Sequence, residues 1–367
     1  MAVRQPGSRR QARQGKRIGI LTTVLSKIAL IFVSVMVFVL ALILMKEGAE
    51  PLAPVIRNHF SVNSPASALG FGWLAAGVAL SGSPVAATSL ALLDARVLSP
   101  IESFAMIGGS RLGAAFIVLL IGFTYILRGK QRELSLGVGL LSLLVTQTMY
   151  IPVLALGFFL LTRNWLPGLQ MQPQQALSSP FARLFDPLIL LVERVLPAWT
   201  LFPIGFLLII SSLWLFDRVL PNLHLDETNL GMLHHLLYRP FVTFLLGAAI
   251  TALTMSVSVS LSLLVPLSVR GYVRRENVIP YIMGANITTF IDTLIAAAML
   301  TNPAAVTIVL VQIVCVTVVS LIIILFFFDQ YERTLNRIVK GISKRLAYLA
   351  VYTLFTFMVP LVLLILF

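Results

Sequence analysis

The sequence predicts an all-α polytopic membrane protein that crosses the bilayer about seven times. Hydrophobic residues make up 58% of the 367 residues and charged residues 11%, whereas a soluble domain carries about 25% charged residues. The mean hydropathy of +0.96 agrees with this class. Most of the net charge of +13 lies in short segments between apolar runs, which is the topology signal of a membrane protein rather than a nucleic-acid-binding surface. The lone cysteine, Cys315, excludes an intrachain disulfide.

The N-terminal segment reads as a basic tail followed by a first span. Residues 1–17 are rich in Arg, Gln and Gly and are predicted to be a disordered cytoplasmic tail. The apolar run at 18–45 is too long for the hydrophobic region of a signal peptide and is not followed by a small-residue cleavage site, so it predicts a span. Residues 46–64, with two prolines, predict a polar connection.

Six further apolar runs complete the count of spans, at 104–127, 134–161, 198–216, 278–300, 303–328 and 346–367. With seven crossings, the basic segments at 128–132, 270–275 and 329–345 fall on the same side as the tail, which places them in the cytoplasm and the protein in the cell (inner or plasma) membrane. Residues 163–197 are mixed and Pro-rich and predict an interfacial linker. The histidine-containing stretch 217–239 matches no familiar metal-ligand spacing, which favours a solvated amphipathic helix over a metal site.

Two apolar segments are interrupted near their middles by serines. Residues 66–95 contain Ser81-Gly82-Ser83-Pro84, and residues 241–269 contain Ser256-Val257-Ser258. Gly permits unusual dihedral angles and Pro starts a new helix readily. We therefore expect both segments to be re-entrant helical hairpins that meet near the bilayer centre. A single kinked span is the alternative for either segment.

A constant offset relates the two halves of the chain. Gly72 corresponds to Gly247 (247 − 72 = 175) and Gly109 to Gly284 (284 − 109 = 175), while the two serine interruptions are also 175 residues apart. The pattern predicts two repeats, at 18–162 and 198–328, followed by a basic loop and a last span at 329–367. An odd number of crossings in each repeat inverts the second relative to the first, an arrangement typical of transporters that bind their substrate at the repeat interface.

The serine interruptions and the segments that begin at Gly109 and Gly284 resemble motifs of the type II sodium–phosphate cotransporters and their bacterial relatives. Each half of those proteins carries a Gln-Ser-Ser-Ser hairpin tip and a Gly-Ala-Asn-Ile-Gly-Thr-Thr segment. The second half here has Met255-Ser256-Val257-Ser258 and Gly284-Ala285-Asn286-Ile287-Thr288-Thr289, and the first half has Leu80-Ser81-Gly82-Ser83 and Gly109-Ser110-Arg111-Leu112-Gly113-Ala114-Ala115. The resemblance covers roughly residues 46–125 and 220–325, and the Gln is absent from both tips.

The resemblance implies a secondary active transporter of inorganic phosphate coupled to sodium, with no cofactor beyond a possible sodium ion and no nucleic-acid partner. The residues expected at the anion site are Ser81, Ser83, Ser256, Ser258 and Arg111. The residues expected at the ion site are Asn286, Thr288, Thr289 and Asp292. Helix packing is the alternative role for any one of these hydroxyls. The alternative functions are transport of another small anion without sodium and a non-transporting scaffold. An enzyme is not expected, because no motif joins a nucleophile, a base and a metal at membrane depth.

Arg111 is the main departure from the pattern, because it stands where the symmetry and the family both lead one to expect Asn. An Arg at the centre of a spanning helix costs about 2.5–3.5 kcal/mol by insertion scales, so it should face a carboxylate, a cavity or an anion. Asp292, the carboxylate within the matching span, is its predicted partner. In that pair Arg111 either acts as a built-in cation or binds the transported anion. The alternative is an Arg that extends from a helix end to the membrane interface.

Overall fold

A computed structural model describes residues 7–127, 132–163, 184–185, 187–192, 194–219, 239–257, 259–261, 264, 268 and 275–367. Within these residues, seven helices are long and apolar enough to cross a membrane, and they correspond to the seven predicted spans. The described part of the chain is therefore all-helical, and the protein is a multi-pass membrane protein. The histidines of the 217–239 stretch and most of the 163–197 linker lie outside the described residues.

The helices that position the site are named here in chain order. They are α1 (Gly7–Asn58), α2 (Pro65–Ala79), α3 (Ser83–Asp94), α4 (Pro100–Ala114), α5 (Phe116–Leu127), α6 (Arg132–Thr162), α7 (Leu201–Val219), α8 (Pro240–Thr254), α9 (Arg275–Thr288), α10 (Ile291–Met299), α11 (Pro303–Ile322), α12 (Phe328–Lys344) and α13 (Leu346–Leu366). A short π-helix, Ile323–Phe327, joins α11 to α12.

Helical structure extends further than the sequence analysis expected. The helix α1 begins at Gly7, so residues 7–17 of the predicted disordered tail are helical, consistent with the high helix propensity of Arg, Gln, Lys and Ala. It also continues through most of the predicted connection 46–64, because Ala49 and Ile56 are buried against the rest of the fold. The basic segment 329–345 is helical over α12, where Leu335 and Val339 share one buried face.

The first interrupted segment is two helices separated by a left-handed turn. The helix α2 ends at Ala79, and the φ of 54° and ψ of 22° at the next residue, Leu80, place a non-glycine residue in the left-handed region. Only a small share of non-glycine residues adopt this conformation, and it stops a helix because the next backbone N–H no longer points along the axis. The helix α3 then begins at Ser83, with Pro84 in its first turn.

Close contacts with α4 show that α2 runs parallel to α4. The Cβ position of Gly109 faces the Leu69 carbonyl, and that of Gly113 faces the Trp73 carbonyl. Moving four residues along α4 therefore moves the contact four residues along α2 in the same direction. A side chain at either glycine would overlap a backbone carbonyl. The glycines therefore permit the two helix axes to approach closely.

The helix α3 runs the opposite way along the same helix. Its start lies at the end of α4, where the Cβ position of Gly82 faces Ala114. Seven residues later Ser89 lies beside Ser103, near the start of α4, with 2.9 Å between the hydroxyl oxygens. Since α2 is parallel to α4 and α3 is antiparallel to it, the chain reverses direction at the Ser81–Gly82 turn.

The second interrupted segment repeats these features. The helix α8 ends at Thr254, and the next residue, Met255, has φ 48° and ψ 19°. The Cβ position of Gly284 faces the Phe244 carbonyl, so α8 packs on α9 as α2 packs on α4. Thr251 donates a hydrogen bond of 2.7 Å to Ser260, whereas nine residues of continuous helix would separate the two by about 13 Å at 1.5 Å per residue. The chain therefore turns back here as well.

The two spans that follow these segments are each broken in the middle. The span Pro100–Leu127 is interrupted at Ala115, between α4 and α5, and the span Asn277–Met299 at Thr289 and Phe290, between α9 and α10. The sequence analysis treated both as single spans. The helices after the breaks begin at Phe116 and Ile291, again 175 residues apart (291 − 116).

The remaining contacts hold the bundle together. The helix α7 packs on α1, where Ser34 and Ser212 exchange reciprocal hydrogen bonds of 2.7 Å between each hydroxyl and the opposite carbonyl. At the end of α3, Asp94 pairs with Lys46 of α1 at 2.9 Å and accepts a 2.7 Å hydrogen bond from the backbone of Asn302. This contact joins α1, α3 and the start of α11.

Candidate functional site

The two turns and the two helix breaks surround one small cavity. It measures about 20 Å³, enough for one or two water molecules. The residues that line it are Ser81, Gly82, Ser83, Arg111, Ala114, Ala115, Ser256, Val257, Asn286 and Thr289. The structure thus brings together residues that are up to 208 positions apart (289 − 81) and that the sequence analysis assigned to the site.

Among the described residues that line this cavity, Arg111 carries the one charged side chain. It lies in the last turn of α4 and is only 4% exposed. Its Nη1 donates a 3.0 Å hydrogen bond to Thr289 and its Nη2 a 2.6 Å hydrogen bond to Thr293. The guanidinium carbon also lies 4.6 Å from the centre of the Phe290 ring, within the range of a cation–π contact. These contacts hold the guanidinium inside the protein rather than at a membrane interface.

Asp292 lies next to Arg111, as the sequence analysis predicted. Its Oδ1 is 4.0 Å from Arg111 Nη2, and the carboxylate is 5% exposed. The same Oδ1 accepts hydrogen bonds from the backbone N–H of Thr293 at 2.5 Å and from its hydroxyl at 2.9 Å. Thr293 therefore connects the two charges, because its hydroxyl accepts from the guanidinium and donates to the carboxylate.

Asn286 is held at the cavity wall by one hydrogen bond. Its Nδ2 donates to the Thr146 hydroxyl of α6 at 3.2 Å, and the residue is 3% exposed. Asn286 lies in the last turn of α9, the position that Arg111 takes in α4. The corresponding positions of the two halves therefore present an amide and a guanidinium to the same cavity.

The serines of both turns also line the cavity. Ser81 and Ser83 come from the first turn and Ser256 from the second. Ser256 accepts a 3.3 Å hydrogen bond from the backbone N–H of Val259, as a residue at the start of a helix does. Ser258 lies outside the described residues.

Thr288 is placed away from the cavity. Its hydroxyl donates a 2.8 Å hydrogen bond to the Ala248 carbonyl of α8, and the residue is not among those that line the cavity. The equivalent position in the first half is Gly113 (288 − 175), which lies against the equivalent carbonyl of Trp73. In this arrangement Thr288 takes the packing role that was the alternative for each hydroxyl.

Sequence analysis missed Thr146 and Thr293. Thr293 carries a usable signal, since it lies four residues after Thr289 and positions four apart share a helix face. Thr146 carries none, because it is one of several hydroxyl residues in an apolar span.

Asp292 also lines a second, larger cavity. This space of about 120 Å³ is mostly apolar and lies between α1, α7 and α10. The Ser34–Ser212 pair and Met255, at the second turn, are also on its wall. Asp292 therefore lies between the guanidinium of Arg111 and a separate, partly open apolar space.

Comparison with known proteins finds a family model that matches part of the second half of the chain. No curated protein and no solved structure matches the chain. Residues 208–351 match the family model described as Na+/Pi-cotransporter. The matched segment contains Ser256, Asn286, Thr289 and Asp292, and it ends within α13. This match confirms the resemblance to sodium/phosphate cotransporters for the second half of the sequence, over 144 of the 367 residues (351 − 208 + 1 = 144).

Proposed function

We propose that this protein is a secondary active transporter of a small inorganic anion, with phosphate as the first candidate. The observation that carries the proposal is the shared cavity. Two chain reversals and two helix breaks enclose it, and a buried guanidinium faces it. The family match implies phosphate and sodium as the transported substrates.

In this proposal Arg111, Ser81, Ser83 and Ser256 of the cavity wall bind the anion, and Ser258, outside the described residues, is the remaining candidate. A planar guanidinium donates two parallel N–H bonds to an oxyanion. The hydroxyls and the backbone N–H groups at the starts of the return helices add neutral donors, and helix N-termini favour negative charge. This combination suits a tetrahedral oxyanion better than a neutral solute.

The ion site, if sodium is carried, is built from oxygen atoms of the second half. Asn286, Thr289 and Asp292 supply amide, hydroxyl and carboxylate oxygens, which are the donors that hard cations prefer. In this arrangement Thr288 contributes to helix packing and is not one of the proposed ion ligands.

We further propose an inverted repeat as the architecture. The repeats are 18–162 and 198–328, with re-entrant hairpins at 66–95 and 241–269. The support is the recurrence of one offset in three independent features: the starts of α2 and α8 (240 − 65 = 175), the left-handed residues Leu80 and Met255 (255 − 80 = 175), and the glycine contacts between helices. Such hairpins enter from opposite faces and meet at the bilayer midplane.

The inverted-repeat organisation also assigns the segments outside the repeats to one or the other side of the membrane. The basic tail 1–17 and the segment at 329–345 lie in the cytoplasm, the linker 163–197 lies along the opposite interface, and the last span completes the 329–367 segment. The protein would then reside in the cell membrane with its N-terminus inside.

The cavity is too small for phosphate in the state described. A space that holds one or two waters cannot hold a five-atom oxyanion together with its donors. Transport therefore requires the two turns to move apart, and the left-handed residues Leu80 and Met255 are the backbone positions most suited to change.

Uptake of labelled phosphate into proteoliposomes tests the proposal. Saturable uptake that Ser256→Ala reduces would support it, because the hydroxyl is a donor at the cavity wall. Ser211→Ala is the matched control: Ser211 is exposed on α7 and its hydroxyl bonds only to its own helix, at Leu207. Movement of another oxyanion but not phosphate would favour the second substrate class. Movement of no anion would favour a scaffold.

A further inference from the structure

We propose that a groove between α5, α6 and α13 binds one anionic phospholipid, with an acyl chain along the groove and the phosphate beside Lys344 and Arg345. The lipid belongs to the leaflet that these two residues face, which is the cytoplasmic leaflet in the topology proposed above. Binding at this groove does not depend on which substrate the protein carries, so the inference goes beyond the proposed function.

The groove has the lining of an acyl-chain site. Its volume is about 500 Å³, within the range of about 300–1,000 Å³ that is typical of ligand sites. Eleven residues line it, and all are apolar apart from Thr353. Leu119 and Leu136 form a buried floor, whereas Phe123 is 45% and Leu354 61% exposed at the rims. Exposed apolar side chains on spanning helices face the bilayer, so a lipid chain can enter from the side.

The groove has the length of one leaflet. The helix α13 lines it from Leu346 to Phe357, and these eleven steps cover about 16 Å at 1.5 Å per residue. The hydrocarbon core of a bilayer is about 30 Å thick, so one leaflet accounts for about 15 Å. The groove therefore matches the chain of a lipid that stays in its own leaflet.

The shallow end of the groove lies at the membrane surface. Leu136 is four residues after the start of α6, and Leu346 is the first residue of α13. Lys344 and Arg345 come directly before α13 and are both exposed. The Arg345 guanidinium carbon lies 5.8 Å from the ring centre of Tyr348, and tyrosine is enriched where a membrane meets water. The two cations are thus at the level of the lipid headgroups.

The charge at this end favours an anionic headgroup. Residues 329–345 contain five basic and two acidic residues. The acidic residues are Asp329 and Glu332, and even Glu332 lies twelve residues before Lys344, about 18 Å along the helix. No acidic residue of this segment therefore lies near Lys344 and Arg345 to compensate their charge. Basic residues next to a span attract anionic lipids, and the attraction falls off within about 10 Å.

The deep end of the groove adjoins the candidate site. Phe116 and Phe357 meet there edge to face, with ring centres 4.9 Å apart. Phe116 directly follows Ala115, which lines the small cavity. Phe357 lies 3.2 Å from the Cβ position of Gly77 in α2. A bound chain packs against the residues that hold the helix break of the first half, so it should slow backbone opening there.

The test measures lipid binding to the full chain in detergent by native mass spectrometry. Phosphatidylglycerol and phosphatidylcholine with identical acyl chains are the probes, so that only the headgroup charge differs. We expect one phosphatidylglycerol per chain, bound about tenfold more tightly than phosphatidylcholine. Hydrogen–deuterium exchange locates the lipid, and phosphatidylglycerol should protect residues 116–127 and 346–357.

Substitutions at the two ends of the lipid separate headgroup from chain. The double variant Lys344→Gln/Arg345→Gln should weaken phosphatidylglycerol binding about tenfold and leave phosphatidylcholine binding unchanged. The double variant Arg333→Gln/Arg337→Gln is the matched control, because it removes the same charge from exposed positions of α12, about 10 Å or more from Lys344 along the helix. Its affinity for phosphatidylglycerol should change less than twofold.

A bulky residue in the groove tests the chain site. Ala350 is exposed and lines the groove, so Ala350→Trp should occupy part of it and reduce binding of both lipids. Ala347→Trp is the matched control, because Ala347 is exposed on the same helix and is not among the lining residues. Melting curves without lipid check that each variant is folded. If Ala350→Trp does not fold, exchange protection in the wild type still tests the position of the chain.

Three results would overturn the inference. They are equal affinity for the two lipids, protection by phosphatidylglycerol that lies outside the groove, and unchanged binding in the folded Lys344→Gln/Arg345→Gln or Ala350→Trp variant. None of these measurements involves phosphate transport. Failure of the lipid site therefore leaves the proposed function standing, and failure of phosphate uptake leaves the lipid site standing.

Discussion

The last turn of α4, which contains Arg111, and the last turn of α9, which contains Asn286, have the same backbone packing. They differ in the side chain that each presents to the cavity. In both halves a glycine two residues earlier lies against a backbone carbonyl of another helix: Gly109 against α2 and Gly284 against α8. The contact leaves no room for a side chain, so the geometry requires glycine at this position. The side chain that faces the cavity makes no such contact and is free to change. Packing and chemistry are therefore separable within a few residues of each other.

The chemical difference gives the halves unequal roles. The first half contributes the buried cation and the second half contributes the buried carboxylate, so charge neutrality is reached only across the two halves. Asn286 has a neutral partner, Thr146. A site of this kind stays assembled only while both halves are in contact, and separating them exposes or separates the two charges.

The largest effect is expected at the shared packing contacts. Gly109→Val and Gly284→Val should each abolish folded protein, because a branched side chain at either position overlaps a helix backbone, and overpacking costs typically about 1–3 kcal/mol and more where backbone must move. Folded yield and melting temperature in detergent are the measurements. Gly341→Ala is the control, since the Cβ position of Gly341 has no heavy atom within 4 Å. Normal folding of Gly284→Val alone would show that the two contacts are not equivalent.

The next effect is expected from the cross-half ion pair. Arg111→Ala and Asp292→Ala should each destabilise the protein by about 3–5 kcal/mol, because each leaves an uncompensated buried charge. The double variant should lose much less than the sum of the two. A double-mutant cycle from unfolding in detergent measures the coupling. Strictly additive losses would show that the two charges do not interact across the halves.

A smaller effect on folding, and a clear one on transport, is expected at Asn286. Asn286→Ala removes one hydrogen bond to Thr146, so the loss of stability should be about 1 kcal/mol. Phosphate uptake should nevertheless fall, because the amide lines the cavity. Asn336→Ala is the comparison, because Asn336 lies on α12 and bonds to Glu332 of the same helix. Uptake equal to that of the wild type in Asn286→Ala would remove this residue from the site.

The smallest effect separates two adjacent threonines. Thr288→Val should cost about 1 kcal/mol of stability, through loss of the bond to the Ala248 carbonyl, and should leave phosphate uptake unchanged. Thr289→Val should impair uptake, because Thr289 lines the cavity and accepts from Arg111. Initial uptake rates of both variants, normalised to folded protein, make the comparison. The assignment fails if Thr288→Val is the more impaired of the two.

The amino-acid sequence alone determined the class, the spans and the positions of the interruptions. Hydrophobic length, basic segments and Gly or Pro punctuation act locally, so they can be interpreted without knowing which helices touch. The same holds for the partnership of Arg111 with Asp292, because a buried charge needs a counter-charge and the matching span offers one carboxylate. The serine turns and the 175-residue offset were likewise visible before any contact was known.

The tertiary structure decided which side chains face the cavity. Successive helix residues are rotated by about 100°, so one residue separates Thr289, on the cavity wall, from Thr288, on a packing face. That rotation is fixed by the crossing of α8 with α9 and by the break after Thr288, neither of which has a local signal. Thr146 and Thr293 belong to the site for the same reason: their hydroxyls are placed by helices that meet only in the folded chain. The continuation of α1 to Asn58 also depends on the tertiary structure, because burial of its apolar face outweighs the helix-breaking tendency of two prolines.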